Sequence, residues 1–114
     1  MNSPTEHDEQ VAVIQYCTLR NIPVFAIPNG GHRNIITATR LKAEGVMPGV
    51  PDLFFPVPRL NFHGFFLEMK RRKQSRITEE QSKWLDFLNK NGYYVEVAYG
   101  ADEAIKLINT YFKL

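Results

Sequence analysis

Cysteine is almost absent from this sequence of 114 residues, and long apolar runs are missing. The single cysteine, Cys17, excludes an internal disulfide and a zinc site built from several cysteines, which suits a reducing compartment. No stretch approaches the roughly 20 apolar residues that a membrane-spanning helix needs. The N-terminus, MNSPTEHDEQ, lacks the basic start and apolar run of a secretory signal. We therefore expect a soluble, intracellular protein.

The net charge of +2 is too small to indicate a nucleic-acid partner. The basic residues are nonetheless concentrated, because Lys70, Arg71, Arg72, Lys73 and Arg76 follow one another closely. Such a run is most often a solvated face, and the alternative is a segment that binds phosphate groups. The apolar fraction of 44% supports one hydrophobic core, so residues 1–114 are expected to form a single domain.

The spacing of apolar residues predicts an α/β chain. Ser3-Pro4-Thr5-Glu6 is typical of a helix start, with Ser3 as the cap and Glu6 reaching back to it. This helix should end near Asn21, before Pro23. The pattern then predicts, in order, a strand at 24–27, a brief helix at 34–44, strands at 52–57 and 62–70, a helix from 79 that is capped by Thr78 and stops at Gly92, a strand at 93–98 and a final helix from about 101.

The strands at 52–57 and 62–70 are expected to form an antiparallel hairpin. Centred on Leu60, this hairpin would place Asp52 directly opposite Glu68, with Cβ atoms about 4.5–5.5 Å apart. Lys70 would point to the same side as Glu68, because it lies two residues further along the strand. Two adjacent carboxylates repel each other unless a metal ion or a proton compensates, so the pair predicts a metal site. The alternative is an ordinary ion pair between Glu68 and Lys70 at a strand end.

Three segments carry a more specific signal: Gly45-Val46-Met47-Pro48-Gly49-Val50-Pro51-Asp52-Leu53, Phe66-Leu67-Glu68-Met69-Lys70-Arg71 and Thr78-Glu79-Glu80-Gln81. They resemble the VRR-NUC family of PD-(D/E)XK nucleases. The resemblance spans nearly the whole chain, and further matches are Glu6 and Gln10, residues 40–44, residues 91–93 and residues 102–105.

The resemblance implies an α/β fold of the restriction-endonuclease type, a small mixed sheet flanked by helices. It also implies a phosphodiesterase that hydrolyses DNA with Mg²⁺ or Mn²⁺, often as a homodimer that recognises branched junctions such as Holliday junctions. Small stand-alone members of the family occur in phages. On this view we expect the protein in the cytoplasm of a cell or of a phage-infected host.

The family's site residues carry over onto named positions of this sequence. Asp52 and Glu68 resemble the metal ligands, together with the backbone carbonyl of Met69. Lys70 resembles the base that positions the attacking water, and Gln81 a supporting residue beside it. Glu6 resembles the acidic residue that the first helix contributes to the metal or its water shell. Glu9, three residues further along the same helix face, is the alternative to Glu6.

DNA contacts are expected from Arg33, Arg40 and Lys42, which could reach phosphates from one side of the site. The run Arg71, Arg72, Lys73 and Arg76 would follow the phosphate backbone beside the scissile bond. Trp84, Phe87 and the hairpin phenylalanines are expected in the core rather than stacked on bases.

A homodimer interface could involve Tyr111 and Phe112, or the region around Pro56 and Leu60. Two other functions stay open at this point, a non-catalytic DNA-binding or regulatory module and a protein-interaction domain.

Overall fold

The computed structural model describes residues 4–28, 35–71 and 76–114. Its elements, in chain order, are α1 (Glu6–Leu19), β1 (Phe25–Ala26), α2 (Ile35–Ala43), β2 (Leu53–Phe55), β3 (Phe65–Lys70), α3 (Glu79–Lys90), β4 (Tyr94–Tyr99) and α4 (Ala101–Phe112). The predicted order of elements is confirmed, including the brief helix after the first strand. The strands are shorter than predicted at several ends, and β2 ends at Phe55, directly before Pro56, which has no N–H to donate.

The four strands form one mixed sheet in the order β1-β2-β3-β4. The first two neighbouring pairs are antiparallel, and β3 and β4 run parallel because α3 carries the chain back across the sheet. Leu53 pairs with Leu67 and Phe55 with Phe65, which is the register that the predicted hairpin requires. The α/β fold with a small mixed sheet is therefore confirmed.

The turn between β2 and β3 is centred between Leu60 and Asn61, half a residue beyond the predicted centre at Leu60. Arg59 and Phe62 form an isolated bridge, and Leu60 and Asn61 both adopt left-handed backbone, with φ of 53° and 68°. Between the pairs Phe55–Phe65 and Arg59–Phe62, residues 56–58 lie opposite only residues 63–64. The arm of the hairpin that follows β2 therefore contains one extra residue. This bulge preserves the register further down the hairpin, where Asp52 and Glu68 lie.

The core lies on one face of the sheet. Phe65, Leu67 and Met69 alternate along β3 toward this face and are fully buried. Helices α1 and α4 cover them with Val13, Cys17, Ala104, Ile108 and Tyr111. Phe66, Glu68 and Lys70 point to the opposite face, which carries the candidate site.

Helix α1 begins two residues later than predicted. Its cap is Thr5, whose hydroxyl accepts a hydrogen bond from the Asp8 N–H at 3.0 Å, while the Asp8 carboxylate accepts from the Thr5 N–H at 3.0 Å. The prediction of Ser3 as the cap and Glu6 as its partner is therefore wrong, and Ser3 itself lies outside the described residues. Because Asp8 completes the capping box, the side chain of Glu6 is not needed for capping.

Two further expectations about aromatic residues need correction. Phe87 does not lie in the core but is 56% exposed, because it lies on the outer face of α3. Tyr111 is not available for a dimer interface, because it is fully buried and its hydroxyl donates a hydrogen bond to the Val57 carbonyl.

Of the helices within the described ranges, none is long and apolar enough to cross a membrane.

Candidate active site

The predicted site residues meet at one edge of the sheet. Asp52 directly precedes β2, while Glu68 and Lys70 lie at the end of β3, beside the end of the parallel strand β4. The first turns of α1 and α3 approach the same edge with Glu6 and Gln81. The carboxyl ends of parallel strands are the usual location of ligand sites in α/β sheets.

Asp52 and Glu68 form the centre of this site. One Asp52 oxygen, Oδ2, accepts a hydrogen bond from the Met69 N–H at 2.7 Å, which fixes the Asp52 carboxylate against β3. The Glu68 side chain is almost completely buried, at 1% exposure. Burial, followed by the negative charge of Asp52, raises the pKa of Glu68 to about 9, although Lys70 acts in the opposite direction. Without a cation, Glu68 therefore keeps its proton at neutral pH.

Two donors approach the same oxygen of Glu68. The Lys70 Nζ lies 3.8 Å from Oε2, and the Gln81 Nε2 donates a hydrogen bond to Oε2 at 3.2 Å. The other oxygen, Oε1, is buried and has no hydrogen-bond partner among the described residues. A buried carboxylate oxygen without a partner is costly, so this atom is the natural position for a ligand contact.

Gln81 also belongs to the cap of α3. Its Oε1 accepts a hydrogen bond from the Thr78 N–H at 2.9 Å, and the Thr78 hydroxyl accepts from the Gln81 N–H at 3.1 Å. The side-chain amide therefore bridges the helix cap and Glu68. The prediction of Thr78 as the cap of this helix is confirmed.

Glu6 and Glu9 differ clearly in their surroundings. Burial raises the pKa of Glu6, the charge of Asp52 raises it further, and Lys70 and Arg71 oppose the shift, so Glu6 lies within the field of the site. Glu9 is buried, at 4% exposure, and accepts a hydrogen bond from the Ala101 N–H at 2.6 Å. Glu9 therefore satisfies the first turn of α4, while Glu6 lies on the site side of α1.

The residues present fit a divalent cation bound by few protein ligands. Within residues 4–28, 35–71 and 76–114, no three histidine, cysteine, aspartate or glutamate side chains converge closely enough to hold a metal ion. The predicted set of Asp52, Glu68 and Glu6 is thus not assembled as three direct ligands. Two adjacent carboxylates and one unpartnered buried oxygen remain, and these hard oxygen donors suit Mg²⁺ or Mn²⁺, which keep several waters.

The basic residues predicted to contact DNA are placed only in part. Arg71 and Arg76 are exposed beside the end of β3 and before α3, and Arg40 and Lys42 are exposed in the last turn of α2. Arg33, Arg72 and Lys73 lie outside the described residues. DNA contact therefore stays a prediction at all of these positions.

Two structural contributions to the site were missed from the sequence. One is the hydrogen bond from the Ala101 N–H to the Glu9 carboxylate, for which an acidic residue in the first turn of a helix gives no signal. The other is the second role of Gln81, for which a signal existed, because Thr-x-x-Gln is the pattern of a capping box.

Comparisons with known proteins identify the family of this chain. The family model of the VRR-NUC domain matches residues 9–102, a range that includes Asp52, Glu68, Lys70 and Gln81 but not Glu6. A solved structure described as a VRR_NUC domain protein is 29% identical, covers 100% of this chain and 93% of its own, and superposes with a TM-score of 0.85. No curated protein matches the chain. The chain belongs to the VRR-NUC family of nuclease domains.

Proposed function

We propose that this protein is an endonuclease that hydrolyses phosphodiester bonds of DNA with Mg²⁺ or Mn²⁺. The observation that carries the proposal is the Glu68 carboxyl, which is buried beside Asp52 and has one oxygen, Oε1, without a partner among the described residues. An ionised Glu68 buried beside Asp52 is unfavourable, so the pair needs either a proton or a cation. A site that binds a cation during its reaction explains why the pair is present.

The roles of the protein residues follow from their positions. Asp52 and Glu68, together with the backbone carbonyl of Met69, would hold the cation, and Glu6 would contact its water shell. When bound, the cation supplies positive charge that stabilises the developing charge on the phosphate. The Lys70 ammonium orients the water that attacks phosphorus. As the new bond forms, the bond from phosphorus to the leaving oxygen breaks, and this oxygen takes up from solvent a proton equivalent to the one that the water releases. The Gln81 amide holds Oε2 of Glu68 in place.

We propose branched DNA as the preferred substrate and a homodimer as the active form. Exposed Arg40, Lys42, Arg71 and Arg76 provide contacts to phosphates rather than to base edges, which favours recognition of shape over sequence. One active site cuts one strand, whereas a two-fold dimer supplies two sites at a fixed separation. Phe112 and the turn around Leu60 remain candidates for the interface, because Tyr111 is buried.

Cleavage assays on three substrates test the proposal. Supercoiled plasmid, a synthetic four-way junction and its matched linear duplex are incubated with Mg²⁺, with Mn²⁺ and with chelator. We expect cleavage only with metal and most rapidly on the junction, and no cleavage by Asp52→Asn. Binding of the junction without cleavage under any metal condition would favour the non-catalytic DNA-binding module instead.

The oligomeric state is measured on the same preparation by light scattering. We expect the mass of a dimer at micromolar concentration. A monomer that cuts the junction and the duplex equally well would contradict the dimer and the preference for branched DNA, while leaving the nuclease activity intact.

A further inference from the structure

The loop that leads into Asp52 lies directly against the first turn of α3. At Gly49, a Cβ atom would lie 2.6 Å from the backbone carbon of Glu80, 2.7 Å from its oxygen and 2.8 Å from the backbone nitrogen of Gln81. Real Cβ atoms do not approach backbone this closely, and Gly49 also has a φ of +89° that favours glycine. Only a glycine therefore allows the loop and the helix to meet at this distance.

This close approach matters because the helix turn that it positions carries Gln81. A glutamine amide can present either its oxygen or its nitrogen to Glu68. Here the Thr78 N–H donates to Oε1 of Gln81, so the oxygen is engaged by the cap and Nε2 must face Glu68. The cap of α3 thus sets which end of the amide reaches the site.

We propose that Gly49 and the backbone N–H of Thr78 position the active site: Gly49 seats the loop against the first turn of α3, and the Thr78 N–H orients the Gln81 amide as a donor to Glu68. This occupies Oε2 of Glu68 and leaves Oε1 available for the cation. The inference rests on the proposed function for its effect on cleavage. The orientation of Gln81 can be measured without any activity.

Gly45 provides a matched control for Gly49. Gly45 also has a positive φ, of +100°, but apart from its own chain neighbours no atom of the described residues lies within 4 Å of a Cβ placed there. An alanine therefore introduces the same kind of backbone strain at both positions and a collision with α3 only at Gly49. Any difference between Gly49→Ala and Gly45→Ala reports the packing of the loop against the helix.

The first readout is the side-chain amide resonance of Gln81 in the metal-free protein, assigned by its absence in Gln81→Met. We expect Gly49→Ala to move this resonance toward that of a solvent-exposed glutamine, and Gly45→Ala to leave it in place. In cleavage assays, Gly49→Ala should lower kcat at least tenfold with KM for DNA unchanged, and Gly45→Ala should stay within about twofold of wild type. A folded Gly49→Ala protein with an unmoved resonance and wild-type kcat would overturn the role of Gly49.

Two variants test Thr78, and they also keep the proposal testable if Gly49→Ala does not fold. Thr78→Ala removes the hydroxyl but keeps the N–H, whereas Thr78→Pro removes both and suits the φ of −77° at this position. We expect only Thr78→Pro to move the Gln81 resonance and to lower kcat at least tenfold. In a Gln81→Met background, Thr78→Pro should have no further effect on kcat. Equal losses from Thr78→Ala and Thr78→Pro, or an additional loss in that background, would contradict the proposal.

Failure of the proposed function and failure of this inference give different results. If the wild-type protein cuts no DNA, the proposed function is wrong, while the resonance of Gln81 still decides whether Gly49 and Thr78 orient its amide.

Discussion

The two faces of strand β3 are buried to a similar degree but differ in chemistry. Phe65, Leu67 and Met69 are fully buried against α1 and α4, and Glu68 and Lys70 on the opposite face are 1% and 6% exposed. On the first face, these three side chains are apolar and pack within the hydrophobic core. On the second face, a carboxylate oxygen remains without a partner among the described residues. Burial alone therefore does not distinguish core from site, and a buried polar atom without a partner does.

The largest expected contrast comes from neighbouring substitutions on the two faces. Glu68→Gln removes a negative ligand and should lower cleavage on the order of a thousandfold, because several kcal/mol of transition-state stabilisation disappear. Leu67→Ala should instead lower the free energy of unfolding by about 2–5 kcal/mol while cleavage by the folded protein stays within a few-fold of wild type. Urea unfolding and cleavage assays on both variants make the comparison. Wild-type cleavage by folded Glu68→Gln would contradict the division between the faces.

The pH dependence of stability should also depend on the site face. The unfolded chain releases the Glu68 proton near its ordinary pKa of 4.5, whereas the folded, metal-free protein holds it up to about 9. The contribution of protonated Glu68 to the free energy of unfolding is therefore complete below about pH 4.5 and is lost as the pH rises toward about 9. The raised pKa of Glu6 acts in the same direction.

Urea unfolding in chelator at several pH values measures this effect. Wild type should lose stability steadily from about pH 5 to about pH 9, and Glu68→Gln should lose clearly less over the same range. Saturating Mn²⁺ should restore stability at the alkaline end. Identical pH profiles for the two proteins would show that Glu68 is not protonated in the folded state.

Substitutions of Glu6 and Glu9, which lie in the same helix, should affect different properties: activity for Glu6 and stability for Glu9. Glu9→Ala removes a buried acceptor of the Ala101 N–H and should lower the free energy of unfolding by about 1–3 kcal/mol. Glu6→Gln should leave stability nearly unchanged, or raise it, and should lower cleavage. Thermal unfolding and cleavage assays distinguish the two roles. The opposite pattern would assign the site residue to Glu9.

The smallest expected effect concerns the exposed basic residues. Replacing Arg71 and Arg76 by glutamine should lower the slope of log affinity against log salt by roughly 0.9 for each phosphate that the variant no longer binds. Arg40 and Lys42 are tested in the same way. Lys90→Gln is the control, because Lys90 forms an ion pair with Asp86 at 3.0 Å in the last turn of α3. A slope unchanged in all variants would show that these residues form only a solvated surface.

The hairpin and the centre of the site could be predicted well from the sequence. A hairpin centred on Leu60 places Asp52 opposite Glu68, and the observed pairs, Leu53 with Leu67 and Phe55 with Phe65, have this same register, although the turn itself is offset by a bulge near Pro56. The resemblance to the family then supplies roles for Lys70 and Gln81.

The choice between neighbouring helix caps and the features that depend on tertiary contacts were not predictable. Thr5 rather than Ser3 caps α1 because Asp8 completes the capping box, and this choice between nearby caps is finely balanced. Phe87 has the apolar character of a core residue but lies on the outer face of α3. Glu9 and Gly49 act through residues that are distant in sequence, Ala101 and Gln81, and no local pattern records such contacts.

Calorimetric titration of the metal-free protein with Mn²⁺ decides whether Asp52 and Glu68 form a metal site. Wild type should bind Mn²⁺ and release protons at neutral pH, because the Glu68 proton must leave as the cation binds. Asp52→Asn should bind at least tenfold more weakly, and proton release is measured from the binding enthalpy in buffers of different ionisation heat. Equal Mn²⁺ binding by wild type and Asp52→Asn, or no binding by either, would contradict a metal site formed by these two carboxylates.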